Sequence, residues 1–243
     1  MDPVLQILQN SMAPYWWIWL LTAVVAYLIG SINPAVIVTK VVTKGKRDIR
    51  DMGSGNAGFT NVLRSVGKVP AIITIVCDAL KCIAAVFIAY FLFVWFAKLP
   101  LEDEWFRRCF FNCVKYFAGV FCILGHSFPL YFHFKGGKGI VTAAALMLAS
   151  DWRVFLLILG TFLIVFIISK IISLASITGA ALYAPYTFLV TFVFDHLLTR
   201  ECLWYVLIST GCALLIGIFA IIMHKENIKR LLRGEEKKIR AKK

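Results

Sequence analysis

Charge is scarce in this chain: 16% of residues carry it, against about a quarter in soluble domains. With 60% hydrophobic residues and a mean hydropathy of +0.82, that shortfall excludes a soluble globular domain. Acidic residues are the rarer sign, 13 against 26 Lys and Arg, for a net charge of +13. The basic residues sit beside apolar runs instead of forming one soluble face, which argues for membrane lipids as partners and against nucleic acid. Histidine is limited to four positions. None joins the CxxxC spacing of Cys109 and Cys113 to complete a metal set, so neither metal nor cofactor is expected. No basic n-region precedes the first apolar run, so Met1-Asp2-Pro3 reads as the approach to a retained span and not as a signal peptide. No Pro/Ser/Gly-rich linker or internal repeat divides the chain. Residues 1–243 therefore read as one membrane domain, with 224–243 as a basic tail contributing to its site.

Long apolar runs are present in compensation. Those near 16–43, 69–97, 111–132, 154–169, 171–194 and 203–223 mostly reach the roughly 20 residues that a helical crossing needs. The segment Gly139–Ser150 is apolar but about two-thirds as long, either a short helix or a re-entrant one. The linker Lys40–Lys68 and the tail Lys225–Lys243 are both basic, which places both inside. The linkers holding Glu102-Asp103-Glu104 and Asp195–Glu201 are mixed. An outside N-terminus and an inside C-terminus demand an odd number of crossings, so the short segment is expected to be the seventh. The reading is an all-α integral membrane protein of seven transmembrane helices, one short. Most cysteines (Cys77, Cys82, Cys109, Cys113, Cys122, Cys202, Cys212) read as small apolar packing residues. Cys109, Cys113 and Cys202 lie near the expected outer face, where a disulfide stays open.

Three polar islands interrupt the apolar runs. The first, GSGNAGFTNVLR from Gly53 to Arg64, is glycine-dense and lies beside Arg50 and Lys68. Its glycines, Gly53 and Gly55 among them, can turn backbone N–H groups toward an anion, and Ser54, Asn56, Thr60 and Asn61 add side-chain partners. The second, GHSFPLYFHFKGGKGIVT from Gly125 to Thr142, holds His126 and the core Lys135-Gly136-Gly137-Lys138-Gly139 at a helix start. There N–H groups and Lys138 can converge on one phosphate. A flexible turn with a snorkelling lysine weighs equally for a bare GGKG, and pairing with the first island tips the balance. The Walker A spacing is missing, and Gly139 follows Lys138 where Ser or Thr would be needed, which disfavours nucleotide. The third, HKENIKRLLRGEE from His224 to Glu236, sets His224, Asn227 and Leu231 on one helical face with Arg230 on its flank. Binding of anionic lipid heads is the plainer reading of such a segment alone. Asp78 and Lys81 lie within a span, spaced to pair, and are costly there unless paired or functional. Ser173 and Ser176 can donate to a ligand or bond backbone.

Together these motifs resemble the bacterial integral-membrane acyl-phosphate:glycerol-3-phosphate acyltransferases over nearly the whole chain. Gly30-Ser31-Ile32 with Pro34 matches the family's GS-I-P. Arg50 with Gly53 through Arg64 matches R-x-x-GSGN-x-GATNVLR, and Gly125 through Thr142 matches GH-x-FP with KFKGGKG-x-AT. Ser173-Leu174 with Ser176 matches a YVSL-x-S turn, and His224 through Glu235 matches H-x-x-N-I-x-RLL-x-G-x-E. Asn33 is inserted before Pro34, Phe59 replaces the usual alanine beside the glycerol-phosphate pocket, and Lys170-Ile171-Ile172 replaces an aromatic-containing turn. The resemblance implies transfer of a fatty acyl group from acyl phosphate to the 1-hydroxyl of sn-glycerol 3-phosphate. It also implies a multi-pass inner (plasma) membrane protein whose active site faces the cytoplasm. Ser54, Asn56, Lys138, His224 and Asn227 are the expected catalytic residues. Ser31, Arg50, Gly53, Gly55, Thr60, Asn61, Arg64, Lys68, His126, Gly136, Gly137, Gly139, Ser173, Ser176, Arg230 and Glu235 are the expected substrate contacts. The proton acceptor stays open between His224 and the acyl donor's phosphate. Soluble-headed glycerolipid acyltransferases use a His followed after four residues by Asp, a pattern that no histidine here completes.

Two other classes compete. A transporter of an organic phosphate anion also places polar breaks at membrane depth, but the islands differ from one another and no inverted repeat relates them. A non-catalytic lipid-binding or assembly protein is suggested only by the basic tail.

Overall fold

The computed structural model describes residues 9, 13–102, 104–201 and 203–238. Met1-Asp2-Pro3, Asp103, Cys202 and the last residues of the basic tail lie outside the described residues, and with them the readings placed there. All regular structure among the described residues is helical, and six stretches are long and apolar enough to cross a membrane: Trp16–Val42, Lys68–Phe96, Glu104–Phe132, Trp152–Ser169, Ile172–Leu198 and Leu203–Met223. Each overlaps one of the runs read from the sequence. The third helix begins earlier than its apolar run, at Glu104, because the mixed segment before residue 111 is amphipathic and buries Phe106, Cys109 and Phe110.

The chain forms two compact units, residues 1–150 and 151–243. In the first, α1 (Trp16–Ser31) is followed after a break by α2 (Pro34–Val42). Asn33 makes the break: its side chain accepts the Val36 N–H at 3.2 Å, and Pro34 takes the first helical position, where its missing N–H costs nothing. The short α3 (Phe59–Ser65), the long α4 (Lys68–Phe96), α5 (Glu104–Ser127) and the short α6 (Ile140–Ser150) complete the unit. Helices α1, α4 and α5 pack on one another, and α6 packs on α4 and α5.

Between apolar helices in lipid, close backbone approach replaces the hydrophobic drive. The α1–α5 crossing shows it: a methyl group on Gly30 would strike the Cys122 backbone, and one on Gly125 would strike the Tyr27 carbonyl. Toward the other end of these helices, Trp19 fills the space with Phe93, Phe110 and Phe117 at centroid separations of 4.7, 5.9 and 4.9 Å.

The second unit holds α7 (Trp152–Ser169), α8 (Ile172–Val190) with a π-helical extension over Thr191–Leu198, α9 (Leu203–Met223) and the amphipathic α10 (Lys225–Leu232). Asp151 caps α7 through the Arg153 N–H at 2.9 Å, and its carboxylate also holds the Arg153 side chain at 2.9 and 2.7 Å. The same guanidinium reaches Asp195 at 3.0 and 2.8 Å. One arginine thus ties the start of α7 to the end of the α8 extension. Apolar side chains left exposed, such as Ile168, Trp95 and Val41, fit surfaces turned to lipid.

Candidate active site

The first and second islands meet in the first unit. Gly53, at φ +59°, turns the chain after the 3-10 turn Ile49–Asp51. Any side chain there would collide with Asn61 and Ser65. Asn61 is buried and ties this loop together: its amide donates to the Ile49 carbonyl at 3.1 Å and the Met52 carbonyl at 2.8 Å, while its oxygen accepts the Ser54 N–H at 3.1 Å. Its polar atoms are spent on the loop, so it shapes the site where the sequence suggested a ligand contact. Ser31 is likewise structural: its hydroxyl donates to Tyr27 at 2.8 Å and accepts the Leu130 N–H at 3.2 Å.

Arg50 stands between the two islands. It donates to both Asp48 oxygens at 3.0 and 2.8 Å, and its third arm reaches the Phe132 carbonyl at 2.7 Å. Asp48 was missed by sequence reasoning, although its place as N-cap of the turn, two residues before Arg50, was the available sign. The guanidinium holds the Asp48 carboxyl below its usual range, mainly through these hydrogen bonds, and the carboxylate raises Arg50 in return. The pair is therefore charged throughout the physiological range, and Arg50 acts as the strut joining the loops. Around it Gly53, Ser54, Gly55, Arg64 and Lys68 are exposed, and Asn56 and Thr60 half-buried.

The glycines of the second island are explained by contact. A side chain on Gly136 would run into the His126 and Ser127 carbonyls, and one on Gly137 into the His126 ring and the Ala57 carbonyl of the first island. The Gly137 N–H donates to the His126 carbonyl at 3.1 Å, and Gly139 turns at φ +75° directly before α6. Lys138 between them is half-buried. The loops are thus pressed together at Ala57–Gly137 and Arg50–Phe132, on a floor formed by buried His126.

The third island organises the second unit. His224 is buried, and Nδ1 lies 2.7 Å from the Ala220 carbonyl. A carbonyl only accepts, so the ring donates through Nδ1, and in its neutral form Nε2 is the acceptor nitrogen. Beyond α10 the Gly234 N–H bonds Leu231 and the Glu235 N–H bonds Arg230, the paired closure of a Schellman motif with Gly234 at φ +70°. This turn sends the chain back along α10. Glu236 then accepts from Ser173 at 2.9 Å, Asn227 at 2.8 Å and Arg230 at 2.7 Å. Burial opposes its ionisation, yet the three donors together hold its carboxyl below the ordinary value of 4.5. Glu235, the residue chosen from the sequence, is exposed. The glutamate that gathers the cluster is Glu236, and the sign was present, because G-x-E counted from Gly234 ends there. Ser176 is buried nearby in α8. Cys77, Cys82, Cys122 and Cys212 are free thiols.

A multi-span helical membrane protein with two interlocked glycine-lysine loops is thereby defined. The family model for glycerol-3-phosphate acyltransferase matches residues 20–234, and the chain belongs to that family of acyltransferases. Similar proteins include the glycerol-3-phosphate acyltransferase of Thioalkalivibrio sulfidiphilus, 40% identical over 88% of this chain and 90% of the relative. That of Nostoc sp. is 36% identical over 92% and 93%. Among solved structures, the glycerol 3-phosphate form of PlsY (YgiH), an integral membrane glycerol 3-phosphate acyltransferase, is 32% identical with a TM-score of 0.68, covering 91% of this chain and 96% of that one. Its lysophosphatidic acid form gives 33% and 0.67 over 91% and 95%.

Proposed function

We propose that this acyltransferase moves a fatty acyl group from acyl phosphate to the 1-hydroxyl of sn-glycerol 3-phosphate, giving lysophosphatidic acid and inorganic phosphate. The contact of the two glycine-lysine loops at Arg50–Phe132 and Ala57–Gly137 carries the reading, because both substrates bring a phosphate. In the step itself the hydroxyl oxygen bonds to the acyl carbon, the bond from that carbon to the phosphate oxygen breaks, and the hydroxyl proton leaves to a base. Acyl phosphate is already activated, so alignment does most of the work, worth on the order of 7–11 kcal/mol. Preorganised donors at the developing oxyanion supply about 3–4 kcal/mol each.

Lys138 is assigned to grip one phosphate, and Ser54 and Asn56 the other phosphate and the carbonyl, with Arg50 as the strut behind them. Gly53, Gly55, Thr60, Arg64 and Lys68 border that site, and Gly136, Gly137 and Gly139 shape its second loop. His224 and Asn227 orient the hydroxyl, supported by Ser173, Ser176, Arg230 and Glu236. The proton goes to His224 Nε2 or to the donor's phosphate. Near-normal turnover of His224→Gln selects the phosphate.

Both units serve this one activity in a multi-pass protein of the inner (plasma) membrane, with an outside N-terminus, a cytoplasmic tail and a site facing the cytoplasm. Helix α6 is the seventh crossing. At about 1.5 Å per residue it spans little over half of an approximately 30 Å hydrocarbon core, and it follows a loop seated on protein, where backbone polar groups avoid lipid. Purified protein in bilayers, given acyl phosphate and glycerol 3-phosphate without metal or nucleotide, tests the reaction. Lysophosphatidic acid formation is the expected result. Uptake of glycerol 3-phosphate into vesicles without product would replace this reading with a transporter.

A further inference from the structure

The buried charges of the first unit are left over from the reaction as written. Asp78 and Lys81 of α4 and His126 of α5 are all buried, at a depth where uncompensated charge is costly. Lys81 Nζ has three neighbours: the Ile32 carbonyl at 2.7 Å, Asp78 Oδ1 at 2.8 Å and His126 Nδ1 at 2.9 Å. An ammonium carries three protons and no lone pair. Its approach to Nδ1 therefore requires that nitrogen to accept, which places the ring proton on Nε2.

The alternative arrangement donates Nδ1–H to Asp78 Oδ1, 3.1 Å away. It would set an N–H against the ammonium and leave a buried Lys81 proton without an acceptor, which is unfavourable for a buried charged donor. The Lys81-donating arrangement satisfies every ammonium proton. The opposite edge of the ring faces the loops, since a side chain on Gly137 would meet Nε2 together with the Ala57 carbonyl. The ion pair is thus connected through one imidazole to the place where the two islands touch.

We propose that Asp78 and Lys81 are positioning residues: they lock His126 as its Nε2–H tautomer, so that the ring presents a hydrogen-bond donor to the junction of the two glycine loops. The rigid floor this creates fixes the separation of the loops. Its catalytic consequence rests on the acyl-transfer reading above, whereas the tautomer itself does not. Loss of the lock leaves His126 free to rotate or exchange its proton, and the loops lose register.

Protein labelled with 15N-histidine in lipid bilayers has four imidazoles to assign, His126, His133, His196 and His224, and His126→Gln identifies the resonance in question. The expected spectrum shows His126 neutral with Nε2 protonated. A ring protonated on Nδ1, singly or doubly, overturns the proposal, whatever the enzyme does. The second measurement uses Asp78→Asn with Lys81→Met, which removes both charges together and avoids stranding either one. Expected are a Tm close to wild type, a mixed His126 tautomer signal and a kcat/KM at least tenfold lower. In a His126→Gln background, where the side-chain amide donates without help from Lys81, the same pair should cost less than threefold. Retained Tm with unchanged kcat/KM and tautomer overturns the proposal. So do equal losses in the two backgrounds. If the double variant fails to fold, the wild-type spectrum still decides. Wild-type protein that makes no lysophosphatidic acid would instead count against the reaction and leave the tautomer reading intact.

Discussion

Removal of the Glu236 carboxylate should release the C-terminal segment without unfolding the spans. Its side chain is 6% exposed and that of Arg230 39%. Arg230 is rehydrated on release, so its bond is worth about 0–1 kcal/mol. Ser173 and Asn227 are 8% and 6% exposed, and each loses a charge-assisted hydrogen bond worth about 1.5–3 kcal/mol. The freed backbone recovers about 1–2 kcal/mol per residue over the short segment after Gly234. The balance is about 2–3 kcal/mol, which raises the population of the released tail by roughly 25- to 150-fold. Brief trypsin treatment of Glu236→Ala in bilayers should cut after Arg233 or Lys237 faster by that order, while Tm of the spans stays put. Glu235→Ala, at an exposed position, should match wild type. The pH dependence has a definite sign. Because the folded carboxyl lies below 4.5, its contribution is complete above that value and is lost as pH falls through the depressed one. Wild-type tail release, read by amide hydrogen exchange corrected for its intrinsic pH dependence, should be flat between about pH 6 and 8 and should rise only in acid. Equal cleavage of the Glu235 and Glu236 variants would refute the latch.

Asn61→Ala should strip two carbonyls and one N–H of their partners, cost about 2–4 kcal/mol locally and abolish acyl transfer while the spans stay folded, as read by product formation beside thermal unfolding. Gly30→Val should force α1 from the Cys122 backbone and lower the yield of detergent-stable protein, measured by size exclusion. Arg153→Met should strand Asp151 and Asp195, lower stability by about 1–3 kcal/mol and leave KM unchanged, because this end of the second unit lies far along α7 and α8 from Ser173. A changed KM with unchanged Tm would be the contrary outcome.

The spans were legible because lipid leaves a chain one solution, the backbone-satisfied apolar helix, and its length is set by the bilayer. Two helix ends went unread although local chemistry marks them: the Asn33-Pro34 break inside the run 16–43 and the Gly234 stop follow from capping rules that need no tertiary contact. What stayed hidden depends on which donor meets which acceptor across the chain. Arg50 looked like an anion ligand, since its partner Asp48 announces itself only once the turn folds and the Phe132 carbonyl arrives from 82 residues away. Asn61 carries the same polar groups whether it binds substrate or ties its own loop, and only the position of Gly53 distinguishes the two. His126 was expected at the substrate, and the structure places its ring between an ion pair and the loops. The choice of Glu235 over Glu236 was a matter of one residue, decided by the turn geometry after Gly234.

This division of labour has a physical cause. Glycine at a crossing lets helices approach but does not choose one register over the next, because neighbouring lipid chains are as apolar as the side chains they replace. Polar groups at depth do choose, since every alternative register leaves an unpaired donor or acceptor in a medium that cannot solvate it. Lys81 meets this demand by reaching the Ile32 carbonyl, Asp78 and His126 from three segments of the chain. The same ammonium thus links α1, α4 and α5 at the height of the glycine loops. A single helix slipped by one turn would move its partner by about 5.4 Å, well beyond hydrogen-bond reach, so the geometry of the candidate site and the assembly of the helices beneath it are set together.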